Sequence, residues 1–151
     1  MASRKNPETP TPGAATPGTA ALETALKNTF GFDTFKPNQR EVVEAVIGGR
    51  DVFVSMPTGG GKSLCYQLSA LLLETVTIVV SPLIALMHDQ VAAAKELGIP
   101  AELLNSTLER EEAREVYRRL FSGRIKLLYI SPERFSLPRF IILFQLMVSR
   151  S

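Results

Sequence analysis

Glycine, lysine and hydroxyl residues follow one another in one short run that has the chemistry of an anion-binding loop. The run is Met56, Pro57, Thr58, Gly59, Gly60, Gly61, Lys62 and Ser63. Glycines let the backbone turn its N–H groups inward without a Cβ in the way, and this forms an anion nest at a helix N-terminus. Lys62 is placed to reach the β and γ phosphates of a nucleotide, and the Ser63 hydroxyl to ligate Mg²⁺. The run therefore predicts a nucleotide and magnesium site.

The loop departs from the strict G-x-x-x-x-G-K-[ST] pattern, because Met56 stands where the first glycine belongs. Three consecutive glycines partly restore the similarity to this phosphate-binding pattern. The alternative is a glycine-rich turn that merely joins a strand to a helix. The flanking segments favour phosphate binding, because a short β-branched run precedes the loop at 51–55 and a helical pattern starts at Lys62.

Strand and helix patterns alternate along the chain after this loop. The predicted elements are a buried strand over 51–55, a helix over 62–73, a strand over 76–81, a helix over 83–97, a weak strand over 102–104, a helix opened by Ser106 and Glu109, and a strand over 125–130. Right-handed crossovers between near-continuous apolar strands imply a parallel sheet covered on both faces. The predicted class is α/β.

Two helices are predicted before the loop. Leu22, Leu26 and Phe30 recur every four residues and indicate a short amphipathic helix. A second helix follows Pro37, with Asn38 and Glu41 at capping-box spacing, an apolar face formed by Val42, Val43, Val46 and Ile47, and a stop at Gly48-Gly49. The helix after Ser106 should turn Ala113, Val116, Tyr117, Leu120 and Phe121 inward and end at Gly123.

Composition is that of one ordinary globular domain. The chain has 151 residues, of which 45% are apolar and 21% charged, with a formal net charge of +2. Residues 1–19 are rich in Pro, Thr, Gly and Ala and predict a disordered arm. A single cysteine, no secretion signal and no apolar run of ~20 residues predict a protein of the cytoplasm without a membrane span.

The chain resembles RecQ-type DNA helicases over residues 22–139. The similar segments, in the family's order, are Phe30-Gly-Phe32, Phe35-Lys36-Pro37, Gln39, Gly49-Arg-Asp51, Met56–Gln67, Val79–Val91, Leu104–Thr107 and Leu127–Phe135. The resemblance implies an incomplete RecA-like lobe over 20–139 from an ATP-dependent helicase of DNA recombination and repair that moves 3′ to 5′. It implies ATP, Mg²⁺ and single-stranded or partly duplex DNA as ligands.

The same resemblance makes Gln39 the residue that reads adenine. An amide suits the N6/N7 edge of adenine because it donates and accepts at once. Phe32 and Lys36 would pack on the base. Without the resemblance, Gln39 is a polar residue on the solvated face of a helix.

Two similar turns follow predicted strands and would lie at the carboxyl edge of the sheet, where α/β folds bind ligands. They are Ser81-Pro82-Leu83 and Ser131-Pro132-Glu133. In related helicases these segments hold the backbone of single-stranded DNA, to which N–H groups at helix starts are suited. Structural capping of the following helices is the alternative.

Three other features have simpler interpretations. His88, the only histidine, is predicted to lie on a solvated helix face, and Cys65 to be a small buried residue without catalytic function. The charged cluster between Glu109 and Glu115 is the solvated face of its helix.

The Asp-Glu-x-His segment with which this family positions Mg²⁺ and the attacking water does not occur in the sequence. We therefore expect that the chain binds ATP but does not hydrolyse it or unwind DNA by itself. Residues 140–151 depart from the family pattern, which suggests a truncation or frame change near residue 140. Missing strands and an exposed apolar run at 140–144 predict marginal stability or aggregation.

Two other functions are compatible with the sequence. The first is a non-enzymatic module that binds single-stranded DNA or a protein, whose DNA affinity ATP would not change. The second is another P-loop enzyme such as a small-molecule kinase. A kinase needs a substrate lid and an acidic residue near the loop, which are not apparent, and it would leave the turns after Ser81 and Ser131 unexplained.

Overall fold

The structure, a computed structural model, describes residues 18–148 and the side chains of residues 18–145. Its helices are α1 (Thr19–Ala25), continued by a π-helical turn (Leu26–Phe30), α2 (Gln39–Ile47), α3 (Lys62–Leu72), α4 (Ile84–Glu96), α5 (Arg110–Phe121) and α6 (Pro138–Val148), with a 3₁₀ turn at Pro132–Ser136. Its strands are β1 (Thr77–Val80), β2 (Ala101–Leu104) and β3 (Leu127–Ile130). Most of the predicted arm, residues 1–17, lies outside the described residues.

The described strands form one parallel sheet in the order β1-β3-β2. Successive side chains of the central strand point to opposite faces. Leu127 and Tyr129 join α3 and α4 in one apolar cluster, and Leu128 and Ile130 join α5 and α6 in another. Helices therefore cover both faces of the sheet, and the predicted α/β class is confirmed.

A third apolar cluster fastens the N-terminal helices to the helix after the glycine loop. Leu22 and Leu26 pack with Val43 and Ile47 of α2 and with Leu68 of α3, and all five side chains are buried. The predicted four-residue apolar repeat is therefore correct, although the helix widens to π geometry at Leu26. This packing brings the start of α2 beside the start of α3.

The strand predicted over 51–55 is wrong. The segment has no β-ladder, and Phe53 is 96% exposed. A strand exists only where a neighbour accepts and donates its backbone hydrogen bonds, and the described sheet offers this segment no partner. The glycine loop is therefore preceded by extended chain rather than by a buried strand.

Two predicted helix starts need correction. Asn38 precedes α2 in the left-handed region, with φ 67°, and its side chain makes no capping hydrogen bond. Helix α5 starts at Arg110 rather than near Ser106, because Glu109 and Glu112 form a reciprocal capping box. Glutamate at both positions satisfies the first N–H groups of α5, so the Ser106 hydroxyl is not needed for that purpose.

The predicted inward face of α5 and the predicted exposed run after residue 139 are each partly wrong. Phe121 is 55% exposed, whereas Val116 and Leu120 are buried. Phe140 is buried in edge-to-face contact with Phe135, while Ile141 and Ile142 of α6 are exposed. Within the described residues, no helix combines the length and apolar character needed to span a bilayer.

Candidate nucleotide and nucleic-acid site

The glycine loop folds into a tight turn immediately before α3. The N–H of Gly60 donates to the carbonyl of Pro57 at 3.0 Å, and Gly59, at φ 78°, takes the left-handed conformation inside that turn. Gly61 precedes the first residue of α3 at φ 81°. Both conformations are open to glycine and strained for other residues. The loop therefore adopts the backbone shape for which its glycines are needed.

Two of the glycines are also required by close contacts. A Cβ on Gly60 would lie 2.9 Å from the backbone oxygen of Pro57 and 3.1 Å from the Cβ of Met56. A Cβ on Gly61 would lie 2.1 Å from Nε2 of Gln39. The loop is thus packed against itself and against α2, which leaves no room for side chains at these positions.

The loop ends in the donors that a phosphate requires. Helix α3 has 11 residues and no acidic residue in its first turn, so its N-terminus is free to attract an anion. The Nζ of Lys62 donates to the carbonyl oxygen of Met56 at 2.7 Å, which joins the end of the loop to its first residue. Ser63 follows directly, half-buried on the first turn.

The position of Gln39 on a helix would by itself suggest a solvated side chain, but the structure shows a buried one. It is 2% exposed, its Nε2 donates to the Gly61 carbonyl at 3.2 Å, and its Oε1 accepts from the Lys36 N–H at 2.9 Å. A carboxamide has two N–H donors and two acceptor lone pairs. One of each therefore remains for a further ligand, beside the glycine loop.

The other two predicted adenine contacts lie on the same side of the loop. The Nζ of Lys36 is 3.3 Å from the Gly59 carbonyl oxygen, so Lys36 meets the loop at a second point. Phe32 follows the left-handed Gly31 and is 52% exposed, an open aromatic surface. A cavity of about 330 Å³ adjoins this segment, lined by Glu23, Asp33, Thr34, Phe35, Lys36 and Arg40.

The two predicted DNA-contacting turns lie at one edge of the sheet, the carboxyl ends of β1 and β3. The N–H of Ser81 donates to the Ile130 carbonyl at 3.0 Å and so ties the first turn to the end of β3. Leu83 is 59% exposed and Pro82 is exposed, so this turn presents an open surface. The Ser81 hydroxyl accepts from the N–H of Leu83, the residue before α4, at 3.3 Å, so Ser81 also stabilises this helix start, although Leu83 itself makes no side-chain capping hydrogen bond.

The second turn is organised by its serine. Ser131 is buried, and its hydroxyl donates to the Glu133 carboxylate. That hydrogen bond, followed by others from the backbone and from Ser106, lowers the pKa of Glu133 below its ordinary value. Glu133 itself is exposed, whereas the Ser131 N–H donates to the Leu104 carbonyl at 3.2 Å and Pro132 has no N–H.

Sequence reasoning assigned no function to Asn105 and Arg134, which join the ends of β2 and β3. Arg134 Nη2 donates to the Asn105 carbonyl, and Asn105 Oδ1 accepts from the Thr107 N–H at 3.0 Å. Asn105 Nδ2 and Arg134 Nε are buried without a hydrogen-bond partner. The only sequence signal was their place in two of the segments that resemble the helicases.

A partly buried hydrogen bond joins the helix after the glycine loop to the central strand. The hydroxyls of Tyr66, on α3, and Tyr129, on β3, are 3.3 Å apart, and their rings meet edge to face. Burial, followed by this contact, raises the pKa of Tyr129 well above its usual range. The nucleotide loop and the turn after β3 are therefore attached to elements in direct contact.

The remaining singled-out residues lie where they were predicted. His88 is exposed on α4. Cys65 is buried, its thiol 3.7 Å from the Gly61 carbonyl oxygen, and burial raises its pKa, which disfavours a reactive thiolate. Within the described residues, no three Asp, Glu, His or Cys side chains gather as a metal site.

The fold and the loop define a P-loop α/β lobe of the RecA-like type. Residues 36–143 match the family described as DEAD/DEAH box helicase. This match covers most of the chain, and the chain belongs to that family.

Its relatives place it among the RecQ-type helicases. The chain is 49% identical to "ATP-dependent DNA helicase RecQ" of Haemophilus influenzae over 109 residues, which are 72% of this chain and 18% of the relative. It is 49% identical to the RecQ helicase of Synechocystis over 75% of this chain and 24% of the relative. It is 41% identical to "ATP-dependent DNA helicase Q1" of mouse over 75% of this chain and 18% of the relative. The chain thus spans no more than a quarter of the length of these relatives.

Proposed function

We propose that the chain binds ATP with Mg²⁺ in the glycine loop and single-stranded DNA along the carboxyl edge of its sheet, as part of a RecQ-like helicase. The whole activity would be ATP-driven 3′ to 5′ movement on DNA during recombination and repair. Lys62 would contact the β and γ phosphates and Ser63 would ligate Mg²⁺. Gln39 would read adenine, with Phe32 and Lys36 against the base.

The observation that carries this proposal is the contact of Gln39 and Lys36 with the glycine loop. Gln39 bonds to Gly61 and Lys36 to Gly59, across about 22 residues of sequence. A loop that serves only as a connector has no need of a buried amide that keeps one donor and one acceptor unused. An adenine held by Gln39 would lie next to a triphosphate in the loop.

The DNA contacts are supported by the position of the two turns. Ser81-Pro82-Leu83 and Ser131-Pro132-Glu133 follow neighbouring parallel strands, and their backbones are joined through Ser81 and Ile130. A phosphodiester backbone laid across this edge would meet the first N–H groups of α4, which have no partner within the helix, without any reading of base sequence.

We expect the chain by itself to release no phosphate from ATP. Hydrolysis in this family uses an acidic pair after a later strand, and the sequence does not contain its Asp-Glu-x-His segment. The remaining Mg²⁺ ligand, Ser63, can hold the metal against the phosphates but cannot serve as a base for water.

Titration with a fluorescent ATP analogue and Mg²⁺, with phosphate release followed in the same samples, tests the proposal. Lys62→Ala should abolish binding. Gln39→Ala should reduce binding of ATP more than that of GTP, since only the adenine edge is lost. Lys95→Ala, which removes an exposed lysine from α4 far along the chain, is the matched control and should bind as the wild type does.

Equal binding by the wild type and Lys62→Ala would refute the nucleotide site, and phosphate release by the wild type would refute the expected inactivity. A second candidate function is a DNA-binding module without nucleotide dependence. It is favoured by the position of the two turns after neighbouring strands at one edge of the sheet, which needs no contribution from the loop. Unchanged oligonucleotide affinity with and without ATP would support that candidate.

A further inference from the structure

A groove with four arginines lies between the first turns of α5 and α6. It encloses about 970 Å³, and its arginines are Arg110, Arg114, Arg134 and Arg139. None of the residues that line it is acidic. The described carboxylates near the start of α5 are already engaged, Glu111 with Arg114 at 2.8 Å and Glu112 in the capping box. The groove is therefore a concentrated positive site.

The arginines converge because of where the two helices begin. Helix α5 begins after β2 and α6 after β3, so both helix starts lie at the carboxyl edge of the sheet. Arg110 and Arg114 are four residues apart and share one face of α5. Arg139 lies on the first turn of α6, which has no acidic residue. Two helix N-termini add to the attraction for an anion.

Two of the arginines are available to a ligand. Arg110 and Arg139 are exposed and form no ion pair among residues 18–145, whereas Arg114 is paired with Glu111. Arg134 bonds to the Asn105 carbonyl and keeps its Nε buried without a partner. Guanidinium groups bind phosphate oxygens in a bidentate manner. The chemistry required of the occupant is that of a phosphate-bearing polyanion.

The floor of the groove is apolar and includes an aromatic ring. Tyr117, on the same face of α5 as Arg110 and Arg114, is half-buried there beside Phe140. Positive grooves with an aromatic platform suit single-stranded nucleic acid, because bases stack on the ring while cations hold the backbone.

We propose that this groove binds a second segment of the single-stranded DNA whose first segment lies on the turns after Ser81 and Ser131. The inference rests on the proposed function. Arg134 provides the continuity, since it directly follows the Ser131-Pro132-Glu133 turn and lines the groove. DNA would thus leave the sheet edge between α5 and α6 rather than end at the turn.

The test compares two lengths of oligothymidylate, of about 6 and about 20 nucleotides, the shorter being too short to cover both segments. Fluorescence anisotropy of the 151-residue chain at several salt concentrations gives both affinities. The double variant Arg110→Gln/Arg139→Gln should keep the wild-type affinity for the short strand. For the long strand, the slope of log K against log salt should fall by about 1.4, from two phosphate contacts.

The matched control is Arg50→Gln/Arg124→Gln. It removes the same charge from two exposed arginines that lie outside the groove and form no ion pair among the described residues. The control should retain the wild-type ratio of long-strand to short-strand affinity, whereas the groove variant should lose most of it. Tyr117→Leu, which keeps apolar packing but removes the ring, should lower the same ratio with no change in the salt slope.

Equal ratios in the groove variant and the control would overturn the proposal. So would tight binding of an acidic peptide to the groove with DNA binding unaffected, which would assign the surface to a protein partner. Failure of the wild type to bind the short strand refutes the sheet-edge site of the proposed function. If the wild type binds the short strand but binds the long strand no more tightly, the groove site is refuted and the sheet-edge site is not.

Discussion

Two short apolar runs of this chain have similar sequence patterns, but one forms a buried strand and the other lies outside the sheet. Leu127–Ile130 is the central strand of the sheet, with all four side chains buried. Residues 51–55 have the β-branched and aromatic character of a strand, yet they lie outside the sheet with Phe53 almost fully exposed. Residue type alone does not separate these two runs.

The difference lies in the neighbours. β3 has β1 on one side and β2 on the other, so its backbone groups are paired on both edges and its side chains meet helices on both faces. Residues 51–55 have no such partner within 18–148. The free energy of a strand comes from pairing and burial more than from intrinsic preference, which is why the same pattern yields a strand in one place only.

The largest expected effect tests this difference through stability. Leu128→Ala should lower the free energy of unfolding by about 2–5 kcal/mol, because it leaves a cavity in a fully buried site. Phe53→Ala should change it by less than about 0.5 kcal/mol, because the ring contacts mostly solvent. Urea unfolding followed by circular dichroism measures both. A loss of several kcal/mol in Phe53→Ala would mean that residues 51–55 are buried in solution.

An intermediate effect concerns the glycine loop, which keeps its shape although no strand precedes it. Gly60→Ala would bring a Cβ within 2.9 Å of the Pro57 carbonyl, a backbone contact that cannot give way cheaply. The loop should be distorted at a cost of about 1–3 kcal/mol, seen as a loss of affinity for the ATP analogue of about fivefold or more.

Gly98→Ala is the control for this loop prediction. Gly98 has a positive φ, of 77°, unlike Gly60, and open space surrounds the position of a Cβ. It should lower stability by about 1 kcal/mol and leave nucleotide affinity unchanged. Equal nucleotide affinities in the two variants would show that the contact at Gly60 does not shape the site.

The smallest expected effect lies at the end of β3 and depends on pH. The folded-state pKa of Glu133 is lowered, first by the Ser131 hydroxyl. A lowered pKa stabilises the fold above the unfolded value of about 4.3, and this contribution disappears as the pH falls through the folded value. Wild type should therefore exceed Glu133→Gln in stability at neutral pH, and the difference should vanish in acid.

Thermal unfolding of wild type and Glu133→Gln between neutral and acid pH measures that difference. Glu96→Gln, at an exposed carboxylate on α4, serves as the comparison for loss of one negative charge. A difference that stays constant down to the acid end would mean that the Ser131 hydroxyl does not favour the ionised carboxylate.

Local signals predicted most of the elements well. Helix α3 starts at Lys62 as expected, because a glycine in the left-handed region precedes a run of good helix formers. β1, β2 and β3 lie within two residues of the predicted bounds. Errors also fall where side chains far apart in the chain decide, as at Phe140, which is buried in one apolar cluster with Leu104 and Val116.

The sequence by itself determined the α/β class, the glycine loop and the helicase family, because these depend on local patterns and on segments in a fixed order. Tertiary structure alone decided which apolar runs became strands, that the Gln39 amide is buried against Gly61, and that four arginines from α5, α6 and the turn between β3 and α6 share one groove. Those outcomes depend on pairing and packing between residues far apart in the chain, and no local pattern encodes which partners will meet.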